Sequence, residues 1–325
     1  LIIPSYEKIF ENKESSSCDV GLLLDNVTDI NNIGAIYRNS FAFNIDFIIS
    51  PLQFGFMLKA FIISFLIAVP TALLSCFLVI KGWALMGDAI SHAVLPGIIL
   101  AFIFGIPLII GAFLAGLVCA VSTGFLSDNC RVKPDTIMGV VFSGMFGIGL
   151  VLYGAVDTNV HLDHILFGNI LGVETAELIK VGALSIVVSI LIIVKWKDLL
   201  LYSFDPIQAK SGGLPVNFLY YGLLSLLSLT VVTTLTATGL ILAVGLLIAP
   251  GAIAFLITKS FFNMLWISVL ICSFSMLLGV YLSFFLDSAP APTIILTLTG
   301  FFVVMFTRKM LLDYYNSRKI LSGID

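Results

Sequence analysis

Charge is scarce in this sequence. Charged residues make up 11% of the 325 and the formal net charge is −3, whereas a soluble globular chain carries about a quarter charged residues. So small a net charge gives no support to nucleic acid as a partner. Paired cysteines are missing as well. Cys18, Cys76, Cys119, Cys130 and Cys272 contain no C-x-x-C pair. Three of them (Cys76, Cys119 and Cys272) fall inside apolar runs, where a free thiol behaves as a small hydrophobe. Neither a disulfide framework nor a cysteine metal site is expected. A phosphate loop of the form G-x-x-x-x-G-K-[ST] is absent, so the chain cannot hydrolyse ATP unaided and is not expected to be an enzyme. No basic segment leads into an apolar stretch and a small-residue cleavage site, which excludes a signal peptide.

What the sequence has in excess is apolar surface. Hydrophobic residues reach 59% and the mean hydropathy is +1.13. A water-soluble fold would expose much of that excess, and lipid is the solvent that removes the problem. A spanning helix needs about 20 mainly apolar residues. Runs of that kind cover roughly 57–80, 107–127, 136–153, 177–195, 218–236, 239–258, 262–285 and 291–307. A shorter run at 92–105 either spans with help from its neighbours or forms part of a broken helix. The expected fold class is an all-α integral membrane bundle of about eight or nine spanning helices.

Lys and Arg collect in alternate connections: Arg131 and Lys133; Lys195, Lys197 and Lys210; Lys259; then Arg308, Lys309, Arg318 and Lys319. The connections at 154–175 and 286–291 have neither. Basic loops face the cytoplasm, so the C-terminus is expected inside. Nine spans would then leave the segment before residue 57 outside, and the parity stays open.

Residues 1–50 have another character. Strand-length apolar runs surround a helix-length one, which is soluble α/β patterning. The expected domains are a soluble extension at 1–50, a transmembrane domain at 51–310 and a cytoplasmic tail at 311–325. Because the chain starts at Leu1, the extension is expected to be a fused or read-through segment, with Met57 near the start of the membrane protein proper.

Three groups of residues carry candidate chemistry. Asp88 and His92 stand four apart, so on a helix they share a face and could hold one cation between them. Carboxylate and imidazole suit manganese, iron or zinc far better than an alkali ion. The plainer reading makes Asp88 the N-cap of a helix starting near Ala89, with Ser91 and His92 near an interface. His161 and His164 flank Asp163 in a connection free of Lys and Arg. At i and i+3 both rings could reach one ion, and a contact there would weaken below about pH 6; an exposed loop with a weak, incidental site is the alternative. Phe204, Asp205, Pro206, Gln208 and Ala209 belong to a connection in which Asp205-Pro206 starts a short helix through Lys210, with Pro at its first position. Gly212 and Gly213 end it, and Pro215 blocks continuation. Such a helix along the membrane surface suits leverage by a soluble motor; an ordinary connection is the alternative.

Gly139, Gly144, Gly147, Gly149, Gly154, Gly239, Gly245 and Gly251 are expected to allow close approach between helices. Glu174 and Glu177 lie near a helix start, where they favour the helix dipole.

The residues Gly87, Asp88, Ala89, Ser91, His92, Ala93, Pro96 and Gly97 match, in spacing, the motif of the permeases of manganese, iron and zinc ABC importers. DTIMGVVFSGMFGIGLVL, HILFGNILGV, FDPIQAKSGGLP and AVGLLIAPGAIAFLIT follow in that family's order, over most of residues 51–310. The resemblance implies a permease subunit in the plasma (inner) membrane of a bacterium, carrying a divalent metal and holding no permanent cofactor. It implies a cytoplasmic ABC ATPase docking on the 204–213 loop, an external metal-binding solute-binding protein, and a second permease copy or paralogue. It also implies a pathway role for Asp88 and His92. The alternative is an ATP-independent secondary transporter or channel.

Asn26, Asp29, Asn32, Gly34, Ala35, Arg38, Ala42 and Phe43 resemble the first motif of SpoU-type RNA 2'-O-methyltransferases. That family's later motifs are missing, so no methyltransferase activity is expected and a membrane-anchored RNA-modifying enzyme is disfavoured.

Overall fold

The computed structural model describes residues 55–83, 85–155, 168, 170–286 and 288–321. The expected soluble extension at 1–50 lies outside the described residues. Among those described there are helices and no strands. Nine helices are long and apolar enough to cross a membrane. They are α1 (Gly55–Lys81), α2 (Met86–Phe104), α3 (Leu108–Asn129), α4 (Pro134–Ala155), α5 (Thr175–Phe204), α7 (Val216–Thr238), α8 (Leu240–Ile257), α9 (Phe261–Leu286) and α10 (Pro290–Leu321). The short α6 (Pro206–Ser211) joins α5 to α7, and a 3-10 turn covers Ile170–Gly172.

The shorter run expected at 92–105 is a correction. Helix α2 starts at Met86 and continues unbroken through Pro96 to Phe104. Asp88, Ser91 and His92 hide its first turns from a search for apolar runs, although they lie in regular helix. The helix of the last span runs on beyond residue 310. Helix α10 continues to Leu321, so its end and the first part of the expected tail are one helix.

Helix α1 is the centre of the bundle. It packs against α5, α8 and α9, while α2, α3 and α4 form a group at one side and α8, α9 and α10 at the other. Helix α7 bridges them, touching α3, α5, α2 and α8. In the membrane-crossing window of α1 72% of residues are buried within the bundle, against 17% in α4.

Between apolar helices in lipid, hydrogen bonds and close packing do the holding. Ser75 Oγ of α1 donates to the Ile248 carbonyl at 3.1 Å and accepts the Gly251 N–H at 2.9 Å. It thereby ties α1 to the Pro250–Gly251 step of α8, where proline has no N–H for the helix ladder. Ser268 of α9 donates to the Ala72 carbonyl of α1 at 2.9 Å. Ser228 of α7 donates to the Phe113 carbonyl of α3 at 3.2 Å. A Cβ on Gly97 would run into the Gly111 carbonyl, and one on Gly111 into that of Gly97, so α2 and α3 cross with their backbones in contact.

The glycine expectation holds only in part. A Cβ at Gly149 would press on Pro96, and one at Gly251 on the Ser75 backbone, while Gly245 is in looser contact with Ile295. Gly139, Gly144, Gly147 and Gly154 have nothing within 4 Å of an added Cβ. Helix α4 packs on α2 and α3, and these four glycines lie on the remaining, open side. Gly239 serves differently, turning α7 into α8 with φ +81°.

Candidate functional site

Asp88 is the third residue of α2, and Leu85 occupies the capping position without a side-chain bond. The N-cap reading of Asp88 is therefore corrected: the carboxylate lies inside the first turn, where the helix dipole favours it. His92 follows one turn later. Its Nε2 lies 3.4 Å from Asp88 Oδ1, and 28% and 33% of the two side-chain surfaces are exposed. The pair is thus neither sealed in the core nor out on a flexible loop.

The His92 ring is held by aromatic neighbours. Phe142 of α4 stacks on it at 5.7 Å between centroids, and Phe146 meets it edge-on at 5.3 Å. Its Nδ1 is buried and has no hydrogen-bond partner. A polar atom left in that state costs about 1–3 kcal/mol, so the ring is kept in place by packing at some expense in stability. Ser91 donates to the Gly87 carbonyl at 2.8 Å and turns away from the pair's chemistry.

The depth of this pair follows from its neighbours. Cys119, at the middle of α3, approaches the Ala89 carbonyl at 3.8 Å. Leu247, near the middle of α8, would touch a Cβ on Gly87 at 2.9 Å. The first turn of α2 therefore lies level with the middle of α3 and of α8. Ionisable side chains within spanning helices are costly and rare. Two donors from one chain do not complete a metal's shell, and no group of three or more His, Cys, Asp or Glu occurs among the described residues. His161, Asp163 and His164 lie outside the described residues.

The 204–213 segment folds as its residues suggest. Asp205 Oδ1 accepts the N–H groups of Ile207 at 2.9 Å and Gln208 at 3.0 Å, and Pro206 opens α6. Gly212 N–H returns to the Gln208 carbonyl, and Gly213 takes φ +79°. Ala209 is fully buried beneath the turn, and Gln208 points outward. Phe204 and Ile207 are each 80% exposed. Two large apolar side chains are thus displayed side by side on a capped turn.

Sequence reasoning missed Phe142 and Phe146 as partners of His92. Their i, i+4 spacing put them on one face, and nothing local told which residue that face would meet. It also passed over Ile207, whose exposure depends on how α6 lies against α5 and α7.

A many-span bundle with an ionisable pair at mid-depth is the architecture of a membrane transport protein. The model of the ABC 3 transport family matches residues 53–309, and the chain belongs to that family. It is 52% identical over 254 residues to the chelated iron transport system membrane protein YfeD of Yersinia pestis, covering 78% of this chain and 86% of the relative. It is 43% identical over 257 residues to the manganese transport system membrane protein MntB of Synechocystis, covering 79% and 84%. Among solved structures it is similar to PsaBC from Streptococcus pneumoniae in complex with Fab, with a TM-score of 0.72, 34% identity, and 84% and 95% of the two chains covered.

Proposed function

We propose that this chain is the membrane-spanning permease subunit of an ATP-driven importer for a divalent transition metal in a bacterial inner membrane. Iron and manganese are the metals named for the relatives; zinc has the same ligand preferences. The observation that carries the reading is the Asp88–His92 pair at mid-depth in a chain of this family. A second copy, or a paralogue with the same pair, facing it would raise the donors from two to four, enough for a tetrahedral shell or most of an octahedral one. The open, glycine-lined side of α4 supports such a pairing, since small residues let helices of two subunits approach closely.

ATP hydrolysis belongs to a separate cytoplasmic subunit, because this sequence has no phosphate loop. Phe204, Asp205, Pro206, Gln208, Ala209, Gly212 and Gly213 form the coupling loop, with the exposed Phe204 and Ile207 as its apolar contacts. The nine candidate spans among the described residues put the ends of α1, α3, α5, α8 and α10 on one side, where the basic connections also fall, which supports a cytoplasmic C-terminus. On the opposite side a solute-binding protein delivers the metal, and His161, Asp163 and His164 are candidates for its first contact.

The test is uptake of radioactive manganese, iron and zinc by cells expressing the chain with its ATPase and binding-protein partners. Uptake of at least one of these metals is expected, and is expected to vanish with a hydrolysis-dead ATPase. Uptake indifferent to the ATPase would contradict the reading in favour of a secondary transporter.

A further inference from the structure

The joint between α1 and α2 is short, residues 82–85. Trp83 gives its N–H to the Leu78 carbonyl at 2.9 Å and accepts the Met86 N–H at 3.0 Å, while Gly82 N–H bonds to the Val79 carbonyl. With Gly82 at φ +70° this is the glycine-terminated helix end in which the final carbonyls are answered by the next two amides. The Trp83 backbone is therefore bonded both to the end of α1 and to the first residue of α2.

Three aromatic rings and one cation surround this joint. Lys81 Nζ lies 3.8 Å from the centroid of Tyr202 and 5.2 Å from that of Trp83. Tyr220 of α7 meets Trp83 at 5.9 Å and Tyr202 at 6.4 Å, both edge-to-face. Tyr202 is buried and stands three residues before Asp205, the cap of α6. The two ends are also united by a cavity of about 340 Å³, whose lining includes Trp83, Met86, Tyr202, Pro206 and Tyr220. Pro206 is the first residue of α6 and Met86 the first of α2, so the open space lies between the start of the docking helix and the start of the site helix. Helix α6 packs mainly on α5 and α7, and α2 mainly on α3, α4, α7 and α8. The aromatic group is where these two sets of neighbours meet.

We propose that Lys81, Trp83, Tyr202 and Tyr220 form a clasp that transmits displacement of α6 to the first turn of α2, making Lys81 a positioning residue for Asp88 and His92. The role rests on the importer reading above. The ammonium held over the Tyr202 face is a strong, directional contact in a partly desolvated place, and the cavity beside it leaves room for the rings to move without collision.

The experiment is the ratio of ATP hydrolysed to manganese transported by the complete permease–ATPase–binding-protein assembly in proteoliposomes. Lys81→Met keeps the apolar stem and removes the charge; it is expected to raise the ratio about tenfold, which is about 1.4 kcal/mol of coupling. Tyr202→Leu is expected to do the same. Lys81→Arg and Tyr202→Phe preserve a cation over a ring face and are expected to stay within about twofold of the unmodified assembly. Should Lys81→Met fail to accumulate in the membrane, Tyr202→Leu against Tyr202→Phe decides. An unchanged ratio, or hydrolysis and transport falling in parallel with Arg and Phe no better than Met and Leu, overturns the clasp while leaving the importer intact. An unmodified assembly without ATP-dependent manganese, iron or zinc transport overturns the importer reading, and the clasp with it.

Discussion

Helices α2 and α8 each hold a Pro-Gly pair in mid-course, Pro96–Gly97 and Pro250–Gly251, and in both the glycine meets the backbone of another helix. In α8 the surroundings are saturated: Ser75 accepts the Gly251 N–H and donates to the Ile248 carbonyl, and α8 contains no charged residue. In α2 the same packing device stands one turn beyond a carboxylate and imidazole that are each about one-third exposed, with one ring nitrogen buried and unpartnered. Close packing by Pro-Gly is thus a scaffold property shared by both helices. What singles out α2 is polar chemistry that the chain itself leaves unsatisfied.

This contrast can be broken or sharpened by substitution. The largest effect is expected from Gly97→Leu, since α2 and α3 touch through backbone there; overpacking of that kind costs upwards of about 3 kcal/mol, and folded protein extracted from membranes is expected to be lost. Gly251→Leu is expected to do equal damage, and a tolerant Gly251 would break the parallel. Ser75→Ala strands the Gly251 N–H and is expected to destabilise by about 1–3 kcal/mol, read as a lower unfolding temperature in detergent with metal affinity unchanged. Asp205→Ala removes the cap of α6 and is expected to cost about 1 kcal/mol locally. Its effect should appear as weaker co-purification with the ATPase rather than as lower stability of the bundle. The smallest effect is expected at Gly144→Ala on the open side of α4, within about 0.5 kcal/mol for the single chain. A loss of pairing between permease copies in that variant, measured by cross-linking in membranes, would show that this side is covered in the assembly.

The spans were legible because lipid imposes a run length that few other constraints produce. The turn at 204–213 was legible for a different reason: Asp205, Pro206, Gly212 and Gly213 act through local backbone chemistry, which adjacent residues specify completely. The start of α2 was not, because Asp88, Ser91 and His92 interrupt the apolar run while leaving the helix intact. The glycines show the limit most clearly. Gly144 and Gly149 look alike in sequence, yet one faces open space and the other presses on Pro96, a distinction set by the rotation of α4 about its axis. Depth was illegible for the same reason, since the position of Asp88 depends on its alignment with Cys119 and Leu247. The Phe142–His92–Phe146 sandwich and the Lys81 clasp are likewise contacts between helices far apart in the chain.

The most direct measurement is metal uptake by the assembled importer carrying Asp88→Ala or His92→Ala, each checked for normal abundance and unfolding temperature. Each substitution is expected to lower uptake at least about tenfold in protein that still folds and inserts. Normal uptake in both variants would contradict a metal pathway through this pair and leave Asp88 and His92 as parts of the helix alone.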